Sequence, residues 1–173
     1  LGDGLVGIGE EREVEPVFGA EAPVGVDTLG RHSEDRRPPG RNIGIGIAQA
    51  DGMAPLVEPT LARWFTAGFR ATHADVSVSV GEMIRSTPVA GFTGCCHAIP
   101  KIDLTDQLGA IRVPTLVIAG DQDVGTPVEA GRAIQQAIPD AQLAVIPSAA
   151  HLSNLEQPET FNHLVSVFLR RIG

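Results

Sequence analysis

Apolar residues recur at helical spacing through the first half of the chain and in short unbroken runs through the second. Within residues 58–69, Leu61, Trp64, Phe65 and Phe69 fall on one helical face by steps of three and four, with Pro59 near the expected start. Residues 75–86 repeat the pattern with Val76, Val80, Met83 and Ile84; Asp75 is the expected N-cap and Thr87-Pro88 the stop. Two more short helices are expected, over 93–99 and over 104–108, the second capped by Asp103 or Thr105. No strand pattern interrupts residues 43–109. Helices this short cannot bury their apolar stripes alone and need a surface to sit on.

That surface begins after Pro114. Thr115-Leu116-Val117-Ile118-Ala119 is a continuous β-branched run ended by Gly120, the pattern of a central parallel strand covered on both faces. A polar loop from Asp121 to Gly125 follows, and Thr126-Pro127 is expected to open a helix as N-cap and first residue. Ala130, Ile134 and Ile138 repeat every four residues until Pro139. A second strand is expected over 142–146, and a last helix from Pro158 to Ile172 has the stripe Phe161, Leu164, Val165, Phe168, Leu169 and Ile172. Strand, helix, strand, helix implies an α/β class and a right-handed parallel unit, whose functional groups gather on loops at the carboxyl ends of the strands.

Residues 1–42 follow neither period and are expected to be irregular, with at most a short strand over 14–26. Composition narrows the class further. With 13 Lys+Arg against 21 Asp+Glu the net charge is −8, which disfavours nucleic acid and anionic membrane as partners. No apolar run approaches the roughly 18 residues of a membrane helix, and the start of the chain lacks a signal-peptide layout, so a cytoplasmic protein is expected. The two cysteines, Cys95 and Cys96, are adjacent and read as small buried hydrophobes. The strand over 115–119 reads as central, yet the chain has few strands to flank it; an exposed sheet edge and association with another chain are expected.

Two loops then hold the chemistry. Asp123 follows the first good strand and His151 the second, and loops leaving one edge of a parallel pair, about 4.8 Å between strands, can bring acid and base together. Asp121 is an alternative acid, or a turn-forming residue at the strand end. Arg63 beside Trp64 offers either a forked contact to a substrate carboxylate or an ordinary exposed cation. His73, His97 and His163 have no metal-ligand spacing, and no phosphate-cradling glycine loop precedes a helix after either strand. No serine stands in a Gly-x-Ser-x-Gly elbow: 33, 77, 79, 86, 148, 153 and 166 all lack one or both glycines.

VPTLVIAGDQDVGTP and AAHLSNLEQPETF resemble the C-terminal part of α/β-hydrolases, and RWFTAGFRATH (63–73) and GCCHAI (94–99) resemble the helical cap of 3-oxoadipate enol-lactonases of the β-ketoadipate pathway. The resemblance spans about residues 47–172 and implies a partial α/β-hydrolase fold, with residues 43–109 as cap and 110–173 as the C-terminal core portion. It implies a small lactone or ester as substrate, no cofactor, Asp123 and His151 as triad acid and base, and Arg63 and Trp64 where cap meets substrate pocket. Leu1-Gly2-Asp3-Gly4-Leu5-Val6-Gly7 resembles the start of the helix after the family's nucleophile, which would place the Ser just before residue 1 and Leu1 in the oxyanion hole, with a shifted frame across about 8–42. On that expectation the chain alone lacks the nucleophile and is inactive, or is a non-catalytic remnant.

Overall fold

Residues 40–173 are described, from a computed structural model; the candidate strand over 14–26, Leu1 and nearly all of the expected shifted-frame stretch lie outside them. The β-branched run after Pro114 forms β1 (Leu116–Gly120), which pairs in parallel with β2 (Gln142–Ile146) from Leu116↔Gln142 to Gly120↔Ile146. Register partners in a parallel pair share a face. Leu116, Ile118, Ala144 and Ile146 therefore look one way, onto Phe161 and Leu164 of the last helix, α8 (Pro158–Ile172) in the numbering below. Val117, Ala119 and Leu143 look the other way, onto Gly131 of α6 (Val128–Ala137).

The α6 start differs from the sequence expectation. Pro127 is the N-cap and the helix begins at Val128, and the Thr126 hydroxyl donates to Asp123. The inward face is also turned: Ala133 is buried, while Ile134 is 39% exposed. Ile138, at the helix end, is buried as its place in the stripe requires.

Among the described residues five α-helices precede the sheet, α1 (Gly40–Asp51), α2 (Val57–Trp64), α3 (Ala67–Thr72), α4 (Ala74–Ser86) and α5 (Val89–Ala98). The first begins three residues inside the segment expected to be irregular. Their shared core holds Ala48, Met53, Val57, Leu61, Phe65, Phe69, Val80 and Ile84. The stripe expected as one helix over 58–69 is two: Phe65 turns to extended backbone, and Thr66 caps α3 by accepting the Phe69 N–H at 3.2 Å. Phe65 still reaches the core, so the break changes the chain's path without losing the burial.

Smaller expectations shift as well. His73, not Asp75, occupies the N-cap of α4, and Met83 points outward at 67% exposure. Cys95 is exposed and Cys96 half-buried, because α5 turns Val89 and Phe92, rather than the cysteines, to the core. The helix begins directly after Pro88, four residues earlier than the apolar spacing indicates. Asp103 does accept the Thr105 N–H at 3.0 Å ahead of a 3-10 turn over Thr105–Ala110.

Among the described residues the sheet has two strands, so β1 is paired along one edge and half-buried along most of its length. The carboxyl ends of the strands are closely crossed. A Cβ at Gly120 would stand 2.3 Å from the Ala150 carbonyl oxygen and 2.4 Å from that of Ala149, closer than any side chain tolerates. Gly120→Ala is therefore expected to destabilise the fold by about 2–3 kcal/mol, by pushing the second loop off the first. Urea unfolding of the two proteins checks this, and an unchanged midpoint would refute it.

Candidate active site

The loop after β1 and the loop after β2 are laced together by backbone. Asp121 N–H donates to the Ile146 carbonyl at 3.0 Å, and Gln122 N–H donates to the Ala149 carbonyl at 2.9 Å. Asp121 Oδ1 accepts the Ala149 N–H at 3.3 Å, which makes Asp121 a tie between the loops. The choice between the two acids follows from that. Asp123 lies deeper, 7% exposed, with His151 Nδ1 at 2.8 Å from its Oδ2.

Every other partner of the Asp123 carboxylate donates to it. Oδ1 accepts the N–H groups of Gly125 and Thr126 at 2.8 and 3.0 Å, and Oδ2 accepts the Thr126 hydroxyl at 2.6 Å. Burial alone would raise this carboxyl, but the Thr126 hydroxyl, the Thr126 N–H, His151 and the Gly125 N–H together hold it below its ordinary value of 3.8. An ionised Asp123 is an acceptor only, so it fixes the proton of a neutral His151 on Nδ1 and leaves Nε2 as a base. The His151 side chain is 40% exposed, which leaves that nitrogen approachable. Trp64, at the end of α2, stacks on the imidazole with centroids 6.2 Å apart and planes at 25°.

A family model of the alpha/beta hydrolase fold matches residues 53–158. The chain belongs to the α/β-hydrolase family. It is 37% identical over 133 residues to 3-oxoadipate enol-lactonase 1 of Acinetobacter baylyi, covering 77% of this chain and 50% of that protein. With 3-oxoadipate enol-lactonase 2 of the same organism it shares 34% identity over 127 residues, 73% of this chain and 47% of the relative. The solved enol-lactonase of Burkholderia xenovorans LB400 superposes with a TM-score of 0.72 at 32% identity, over 75% of this chain and 49% of that one. The chain thus spans about half the length of the curated relatives it matches.

Within this α/β-hydrolase chain the structure brings together three of the four residues singled out from sequence, Asp123, His151 and Trp64. Arg63 is exposed, and its side chain has no hydrogen bond or ion pair among the described residues. Ser148 is exposed with φ at 55° and Ser153 is buried; neither hydroxyl bonds His151 among the described residues. Among the described residues no group of three or more His, Cys, Asp or Glu side chains could hold a metal ion, and no helix is long and apolar enough to cross a membrane. Two participants were not visible as such in sequence. Thr126 resembled a helix cap, although Asp-Val-Gly-Thr is also the pattern of an Asx turn, and Glu156 carried no local signal at all.

The lowered Asp123 value makes stability depend on pH. Its contribution is complete above the unfolded carboxyl's pKa, near 3.8, and is lost as pH falls through the lower folded value. Thr126→Val removes the hydroxyl donor and brings the two values closer, while the Thr126 and Gly125 N–H groups and His151 remain. At pH 7 this variant is expected to be less stable by about 1.5–3 kcal/mol, the worth of a hydrogen bond to a charged group. Between pH 4 and 2 its stability is expected to fall less steeply than the parent's, which urea unfolding at several pH values measures.

Proposed function

We propose that His151 and Asp123 are the base and acid of a Ser-His-Asp hydrolase acting on a carboxylate-bearing enol-lactone. The observation that carries this reading is the 2.8 Å hydrogen bond between His151 Nδ1 and the buried Asp123, on adjacent loops of a parallel sheet. In the reaction, a Ser attacks the ring carbonyl while His151 Nε2 takes its proton. The same nitrogen later returns a proton to the leaving enolate oxygen, and a water activated by His151 then releases the acyl group. Asp123 holds the tautomer and stabilises the imidazolium, and backbone N–H groups bind the oxyanion. No cofactor enters these steps.

In this reading residues 43–109 form a cap over the pocket. Trp64 supplies a flat apolar wall beside His151, and Arg63 takes the substrate carboxylate. The lactone itself is supported by the likeness to the enol-lactonases of Acinetobacter and Burkholderia. The nucleophile is a Ser of a Gly-x-Ser-x-Gly elbow, a context that none of the chain's serines provides. A second reading, a non-catalytic chain that pairs with a polypeptide supplying more of the sheet, is favoured by the unpaired edge of β1 among the described residues.

The test is hydrolysis of an enol-lactone by the purified chain, alone and mixed with the upstream half of an enol-lactonase that carries the elbow Ser. The mixture is expected to turn over and the chain alone is not. His151→Ala in this chain is expected to lower kcat by about 10⁴-fold or more. Turnover by the chain alone, abolished in His151→Ala, would place the nucleophile among these residues. A stable but inert mixture would favour the partner reading.

A further inference from the structure

A second carboxylate is buried in the same region. Glu156, in the four-residue helix α7 (Ser153–Glu156), is 7% exposed. Its Oε1 accepts the Thr66 N–H at 2.7 Å and the Thr66 hydroxyl at 2.8 Å. Its Oε2 accepts the N–H of Ala150, the residue before His151. All three partners are donors, so the side chain is held as an acceptor at both oxygens. An acid removed from water costs several kcal/mol unless it is satisfied, whereas an apolar residue of that size would fill the volume without such demands.

The two oxygens serve different parts of the molecule. Thr66 marks the break between α2 and α3, and its hydroxyl oxygen accepts the Phe69 N–H while the proton goes to Glu156. Ala150 belongs to the loop that delivers His151 to Asp123. The same two segments meet again where the Leu152 N–H donates to the Trp64 carbonyl at 3.1 Å, and where the Trp64 ring lies on the His151 imidazole. Ser148, two residues before Ala150, holds a φ of 55°, which an L residue adopts only when its surroundings fix it.

We propose that Glu156 is a positioning residue for His151. By accepting from Thr66 and Ala150 at once, it sets the His151 loop against the α2–α3 break, so that the imidazole keeps its alignment with Asp123 only while those helices are seated. The inference rests on reading His151 as the proton carrier. It makes the segment from Arg63 to Thr66 part of the base's support as well as a wall beside it.

The test uses the whole chain without substrate. The hydrogen-bonded Nδ1 proton of His151 and the ¹⁵N shifts that report its tautomer are recorded by NMR, with far-UV circular dichroism as a check on folding. In Glu156→Gln one amide N–H must face a donor whichever way the group is turned, so a folded protein is expected to lose the Nδ1 proton signal and the single tautomer. Thr66→Val, which removes one of the three donors, is expected to weaken the signal, and Thr66→Ser, which keeps the hydroxyl, to restore it. A folded Glu156→Gln with the parent's signal and tautomer overturns the proposal. If Glu156→Gln does not fold, a Thr66→Val spectrum identical to that of Thr66→Ser overturns it. Failure of the chain to hydrolyse a lactone leaves these spectra unaffected and bears only on the reaction proposed above.

Discussion

The acid–base pair depends on the crossing of two loops at the carboxyl ends of β1 and β2. Gln122 and Ala149 share a backbone hydrogen bond, Asp121 takes the Ala149 N–H, and Gly120 leaves room for the carbonyls that pass over it. Each of these contacts precedes its functional residue by one to three positions. The approach of His151 to Asp123 is therefore settled by backbone geometry before either side chain is considered. A parallel pair suits this, because both strands end on the same side and their loops must share a small space.

Two buried carboxylates stand within this crossing and are satisfied in opposite ways. Asp123 draws its donors from the next three residues and from His151, so an Asx turn supplies most of what it needs. Glu156 draws part of its donors from Thr66, ninety positions away, and one from Ala150. The first arrangement can form with the loop itself. The second exists only after the helices have docked on the sheet, which makes it a reporter of that docking rather than a local feature.

That difference also explains how far the sequence could be read. A continuous apolar run ended by Gly120 announced β1 and a short run closed by Pro147 announced β2, and the position of Asp123 and His151 after those strands was enough to pair them, because local pattern and topology carry that information. The resemblance to α/β-hydrolases added the family, which periodicity alone does not distinguish. Other features depend on tertiary contacts and left no periodic trace. The stripe through Leu61, Phe65 and Phe69 was regular across Thr66, yet the helix breaks there because Thr66 caps α3 and gives its N–H and hydroxyl to Glu156. Thr126 satisfied the rule for an N-cap, but the helix starts one residue later than that rule places it, and the Thr126 hydroxyl donates to Asp123.

The described residues also separate preorganisation from chemistry. A base oriented by a buried acid, a ring stacked on it and a clamp behind it are all formed by side chains of this one chain. Electrostatic arrangement of this kind is laid down during folding and does not require the reacting group to be present. In the mechanism proposed above, the nucleophile would contribute a bond to carbon, while the base contributes a direction, which has to be held by neighbours. Asp123 and Trp64 touch the His151 ring itself, whereas Glu156 holds the backbone one residue before it, so the surroundings of His151 are fixed by three side chains from three separate segments.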